Sequence, residues 1–176
     1  AIDMYLPALP SIGQSLNAGA DAVQASLMAF FVALAIGQLL YGPVSDRVGR
    51  KLPLYVGLGL FGAASVGCAL ATDIQMLIAF RFLQGLGACA CIAIPRAIVR
   101  DLHTGVDAAR LTSMLMLVFS VSPILAPIAG SLVGEWTGWR GIFWSIAALA
   151  LLGIGMVATV LTETRPAPMR AASGLR

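Results

Sequence analysis

The spacing of the charges is the feature that most constrains this chain. Asp21 and Asp46 enclose 24 uncharged residues, Lys51 and Asp73 enclose 21, Arg110 and Glu135 enclose 24, and Arg140 and Glu163 enclose 22. Asp73 and Arg96 enclose another 22, interrupted only by Arg81. A helix crosses a bilayer with about 20 mostly apolar residues. Five full spans are therefore predicted, over roughly 22–41, 53–71, 73–98, 109–132 and 140–161. Between Asp3 and Asp21 lies a shorter gap of 17 residues. It is expected to be the second half of a further helix, over 1–13, with the rest of that helix upstream.

Composition supports the same class. Hydrophobic residues make up 59% and charged residues 11%, against about 45–50% and 25% in soluble domains. The polar groups are too few to cover a globule, and hydrophobicity this high also excludes disorder. The runs are long, continuous and rich in Ala and Leu, unlike the alternating strands of about ten residues in a membrane barrel. The fold class is thus an all-α membrane protein. Cys68, Cys89 and Cys91 are odd in number and sit in apolar runs, so neither a disulfide scaffold nor a zinc site follows. The net charge of +3 is small and dispersed, which argues against a nucleic-acid partner.

Basic residues set the expected orientation. Segments 13–21 and 72–73 carry none. Segment 43–52 carries Arg47, Arg50 and Lys51, and segment 96–110 carries Arg96, Arg100 and Arg110. Segment 133–140 carries Arg140 alone, and the tail carries Arg165, Arg170 and Arg176. Segments 43–52, 96–110 and the C-terminal tail, with His103, are therefore expected in the cytoplasm. Trp136, Trp139 and Trp144 are expected at the outer interface. Asp21 with Gln24, and Thr72 with Gln75, have the spacing of capping boxes. Gly59, Ala63, Gly67 and Ala71 on the third helix, and Gly85, Cys89, Ala93 and Ala97 on the fourth, form small-residue stripes that let helices approach closely. Pro123 and Pro127 should bend the fifth. Gln24 and Gln38 form a polar stripe on helix two, expected to face a neighbouring helix.

Two charges fall within predicted spans, Asp3 and Arg81. Each costs about 2.5–3.5 kcal/mol at a helix centre, and such groups usually pair or line a cavity. Arg81 lies seven residues after Ile74, and Asp3 eight before Ser11. At 1.5 Å per residue both sit about 10–12 Å below the same surface, so a contact or shared cavity is geometrically possible; the alternative is a structural Arg81 bonded to neighbouring backbone carbonyls. The segment Gly42-Pro43-Val44-Ser45-Asp46-Arg47-Val48-Gly49-Arg50-Lys51 reads as a short turn, with Gly49 free to take positive φ. A positive-inside anchor explains its basic residues but leaves Asp46 unexplained.

Gly42 to Lys51 resembles the loop 2–3 signature of the major facilitator superfamily, G-x-x-x-D-R-x-G-R-K. Five more motifs follow the superfamily's order. Asp3-Met4-Tyr5-Leu6-Pro7-Ala8-Leu9-Pro10 resembles the first-helix motif of the twelve-helix drug:proton antiporters. Arg81-Phe82-Leu83-Gln84-Gly85 resembles the fourth-helix motif R-x-x-Q-G. Ser122 to Gly130 resembles the fifth-helix antiporter motif, with Ala126 for its first Gly and Ser131 for its last. Trp139-Arg140-Gly141-Ile142-Phe143 and Leu161-Thr162-Glu163-Thr164 resemble the two ends of helix six. Together they resemble the Bcr/CflA branch, the bicyclomycin and chloramphenicol resistance transporters.

The resemblance implies a six-helix N-terminal half over 1–164, its first helix truncated, and the start of a central cytoplasmic loop over 165–176. It implies a multi-pass protein of the bacterial inner membrane, not an enzyme. Such a protein would work against a C-terminal six-helix half and export drug-like or small metabolite molecules. It would need no cofactor, only the proton gradient. Asp3, Tyr5, Arg81 and Gln84 would line the proton-coupling and substrate cavity. Gly42, Asp46, Arg47, Gly49, Arg50 and Lys51 would form a conformational latch. Pro123, Pro127 and Gly130 would make the antiporter bend. A facilitator or symporter of the same superfamily, or a non-transporting fragment, are the alternatives. An intramembrane serine protease fails, because no G-x-S-x-G occurs and the single His lies in a predicted loop.

Overall fold

The computed structural model describes residues 2–102 and 104–161. The tail 165–176, His103 and the Thr162–Thr164 end of the last motif lie outside the described residues. The described chain is all α-helix with one 3-10 turn and has no strand. It runs α1 (Ile2–Tyr5), a 3-10 turn (Leu6–Ala8), α2 (Leu9–Ser15), α3 (Ala20–Val48), α4 (Lys51–Ala69), α5 (Ile74–Leu102) and α6 (Gly105–Val160). Four of these, α3 to α6, are long and apolar enough to cross a membrane.

At 56 residues, α6 would be about 84 Å long if straight, far beyond a bilayer. Gly138 breaks it, with φ 71° and ψ 179°, a backbone state open mainly to glycine. Two limbs result, 105–137 and 139–160. Pro123 and Pro127 lie inside the first limb, which is largely exposed, whereas Ile142, Phe143 and Ile146 of the second limb are buried.

Two prolines break the first helix. Pro10 has no N–H to offer the Leu6 carbonyl four residues back. The Leu9 N–H bonds that carbonyl instead, which is the tighter 3-10 spacing. The predicted continuous helix over 1–13 is thus three short pieces.

The helix starts differ from the capping-box expectation. Gly19, not Asp21, caps α3, without a side-chain bond. Asp73, not Thr72, caps α5: its Oδ1 accepts the Met76 N–H at 2.8 Å. Because α5 begins at Ile74, Asp73 occupies the flanking position where a carboxylate meets the third amide. The segment expected as a turn over 42–51 is mostly helix. α3 runs through Pro43 to Val48, and the reversal is confined to Gly49, with φ 105°, and Arg50.

Packing forms two clusters. One joins Tyr5, Ile12, Val23, Cys68, Leu77, Trp139, Ile142 and Phe143, around the Gly138 turn. The other joins Leu54, Leu58, Ala90 and Ile94, nearer the Gly49 turn. Trp139, expected at the outer interface, packs inside the protein next to the Gly138 turn. It is buried, edge-on to Phe143, with the Arg140 guanidinium 4.3 Å above its ring. Arg140 Nη2 also donates to the Ala71 carbonyl at 3.0 Å, satisfying an acceptor just past the end of α4.

Candidate functional site

Arg81 is the centre of the site. It lies on the second turn of α5, inside a span, and is fully buried. Close helix packing makes this possible. A Cβ on Gly85 would collide with the Phe30 carbonyl on α3 and come within 2.9 Å of the Ala33 Cβ. Only glycine lets α5 come this near α3, and the approach lays the Arg81 guanidinium on the Phe30 ring, 4.4 Å from its centroid. Tyr5 covers it at the same distance from another side. Cation–π contacts of this kind gain strength when desolvated, to about 2 kcal/mol.

A polar chain runs through the cation. Arg81 Nη1 donates to Gln84 Oε1 at 2.6 Å. Gln84 Nε2 donates to Ser65 Oγ on α4 at 2.7 Å, and Ser65 Oγ donates to the Phe61 carbonyl. Tyr5 is tied to Ser26 of α3, hydroxyl to hydroxyl, at 2.6 Å. Arg81 Nε and Nη2 are buried with no hydrogen-bond partner among the described residues. Each orphaned donor costs about 1–3 kcal/mol.

The structure brings together Arg81, Gln84 and Tyr5, three of the four predicted cavity residues. It leaves Asp3 apart. Asp3 is half-buried on α1 and makes no ion pair with Arg81 among the described residues. Equal depth allowed a direct contact, and helical phase accounts for the lack of an ion pair. Residues two apart on a helix point in different directions, and Tyr5 takes the side facing Arg81. Ser26, Phe30 and Ser65 complete the site and were not predicted. The clue to the two serines was a hydroxyl inside a charge-free run.

A second polar cluster lies at the Gly49 end. Arg50 is buried. Its Nε and Nη2 donate to Asp101 at 2.7 and 3.2 Å, its Nη1 pairs with Asp46 at 2.9 Å, and Nη1 also donates to Ser45 Oγ. Burial pulls the guanidinium down, but Asp101 and then Asp46 overcome it, so Arg50 holds its proton above the usual arginine value. Asp46 is thereby explained. From the last turn of α3 it reaches the arginine that also grips the end of α5. Lys51 lies 5.9 Å from the Tyr55 ring, while Arg47 and Gly42 are exposed. Asp101 was missed as a member of this cluster, since nothing in its spacing points across 51 residues.

Of the predicted bend residues, Gly130 makes the closest contact. A Cβ there would lie 2.5 Å from the Met4 carbonyl, so the first limb of α6 packs backbone to backbone on α1. Pro123 is exposed and Pro127 partly so.

Comparison with known proteins agrees with this architecture. A sequence model of the Major Facilitator Superfamily matches residues 1–175. An uncharacterised MFS-type transporter of Bacillus subtilis, YdgK, is 43% identical over 99% of this chain and 44% of its own length. A chloramphenicol resistance protein of Pseudomonas aeruginosa is 40% identical over 89% of the chain and 36% of its own length. The multidrug resistance protein MdtL of Escherichia coli is 37% identical over 94% and 42%. The chain thus spans less than half the length of these relatives.

Proposed function

Since this chain belongs to the Major Facilitator Superfamily, a family of multi-pass membrane transporters, we propose that it forms the N-terminal half of an exporter. The exporter moves drug-like or small metabolite molecules out of a bacterial cell across the inner membrane in exchange for protons. Relatives named for chloramphenicol and multidrug resistance support the substrate class. The observation that carries the coupling is the pair of ionisable groups within the first and fourth helices: a half-buried carboxylate, Asp3, on a broken helix, and a buried cation, Arg81, that contacts no acid among the described residues.

Asp3 is the titrating group in this reading. Its carboxylate takes a proton from one side of the membrane and releases it when substrate enters. The break over Leu6–Ala8 gives the segment between Asp3 and α2 a place to turn, as interrupted helices do in transporters. Arg81 fixes positive charge in the cavity, and Tyr5 and Gln84 hold its position. The Asp46–Arg50–Asp101 cluster, with Gly42, Arg47, Gly49 and Lys51, serves as the cytoplasmic latch against a second six-helix half. Pro123, Pro127 and Gly130 shape the fifth helix beside the first.

The test is substrate-induced proton release from the purified full-length protein, followed with a pH dye. Asp3→Asn is nearly isosteric and takes up no proton. It should reduce proton release and uphill export by more than tenfold while substrate still binds. Unchanged release in Asp3→Asn removes Asp3 from the coupling. Equal transport by the parent with the proton gradient collapsed makes the protein a facilitator.

A further inference from the structure

The edge of Arg81 that carries Nε and Nη2 makes no hydrogen bond among the described residues. Those two donors lie side by side on one edge of the planar guanidinium, the edge that grips two oxygens at once. The same chain shows what that edge binds. Arg50 uses its own Nε and Nη2 to hold both oxygens of Asp101, at 2.7 and 3.2 Å. In Arg81 the third nitrogen, Nη1, is already engaged by Gln84, and Gln84 is held by Ser65. Tyr5 and Phe30 also pack on the group, each ring centroid 4.4 Å from the Arg81 guanidinium carbon. The guanidinium is therefore fixed in orientation with one two-pronged edge left over.

We propose that this edge is a carboxylate-binding subsite, and that the transported molecules include small acids whose carboxylate docks on Arg81 Nε and Nη2. Asp3, the carboxylate within the first predicted span, does not fill it: it makes no ion pair with Arg81 among the described residues, and Tyr5 is the α1 residue that lies on the guanidinium. An incoming acid is better suited. Its two oxygens match the two donors, and its charge balances a buried cation that contacts no acid among the described residues. Entry requires Tyr5 to swing aside. Its hydroxyl is tied to Ser26, and its backbone immediately precedes the proline-broken segment Leu6–Ala8. Tyr5 is thus the cover of the subsite, latched by one hydrogen bond. The name of substrate rests on the transport reading; the binding of a carboxylate does not.

Benzoate and benzamide test this, since they match in size and planarity and differ in the anionic two-oxygen edge. With the purified protein in lipid nanodiscs, benzoate should bind saturably and at least tenfold more tightly than benzamide. Arg81→Lys keeps the charge and loses the fork, so the preference for benzoate should fall to within about threefold. Tyr5→Phe lacks the tie to Ser26 and should bind benzoate more tightly than the parent. Equal binding of the two probes by the parent, including none of either, overturns the proposal without any variant. Full benzoate preference in Arg81→Lys overturns it as well. Proton release measured with a neutral substrate separates the two readings: its loss with benzoate binding intact removes antiport and leaves the subsite.

Discussion

Gln84 shows how much one side chain can hold. It accepts from Arg81 and donates to Ser65, joining α5 to α4 through a cation with no carboxylate beside it among the described residues. Removing it takes the partner from a third guanidinium nitrogen in a site that already has two unpaired. Gln84→Ala should lower stability by about 1–3 kcal/mol, read as a lower midpoint of thermal unfolding in detergent. Gln84→Glu places a carboxylate next to Arg81 and should recover much of that loss. A Gln84→Ala midpoint equal to the parent's would mean that the buried network contributes nothing to stability.

At the scale of elements, close approach and end-to-end ties matter more than the number of small residues. The glycines of the two predicted stripes are not equivalent. On α4, a Cβ at Gly59 meets nothing within 4 Å, whereas on α5 a Cβ at Gly85 runs into α3. Gly85→Ala should cost about 1–3 kcal/mol through overpacking, and Gly59→Ala should leave the unfolding midpoint unchanged or raise it. Reversal of that order would show that α5 does not need to approach α3. At the Gly49 end, Asp46 pairs with an arginine that Asp101 also holds. Asp46→Asn should therefore leave membrane insertion and folding intact, because the bidentate Asp101 contact remains. It should still cut transport several-fold in the full-length protein, because the latch has lost a charge. Normal efflux by a normally expressed variant would reduce the segment to a positive-inside anchor.

For the whole molecule, the question is which side faces in. The basic residues cluster at the Gly49 end and near the start of α6, which predicts that end in the cytoplasm. A single cysteine at Thr104 in a cysteine-free variant should resist impermeant thiol reagents in intact cells, and one at Thr137 should react. Both positions are exposed, so reactivity reports sidedness and not burial. The reverse pattern would overturn the orientation and the placing of the latch. The exposed first limb of α6 fits the same picture. Ile124 is 67% exposed and Leu125 59%, which suits a helix that meets lipid or a partner surface.

Hydrophobic run length was enough to read the all-α membrane class from the sequence, because in lipid the backbone must satisfy its own hydrogen bonds and few structures do so. The order of motifs was enough to point to the superfamily. The turn glycine Gly49 was also legible, because positive φ is a local property of one residue, whereas the positive φ of Gly138 was not foreseen. Side-chain partnership was not legible. Equal depth along two helices allowed a contact between Asp3 and Arg81, but depth is one coordinate and helical phase is another. Phase between α1 and α5 is set by how Tyr5, Phe30, Ser26 and Gly85 pack. The grip of Arg50 on Asp101 was likewise invisible, since it joins the ends of two helices that touch only after α3, α4 and α5 have assembled. Trp139 was placed at an interface by residue type, yet it is core, because the break at Gly138 turns the second limb of α6 back onto α4 and α1. Sequence determined which segments are long and apolar enough to cross a membrane, through transfer energies summed along the chain. Tertiary packing decided which side chains meet inside it, because contacts between helices depend on rotation and approach that no single segment encodes.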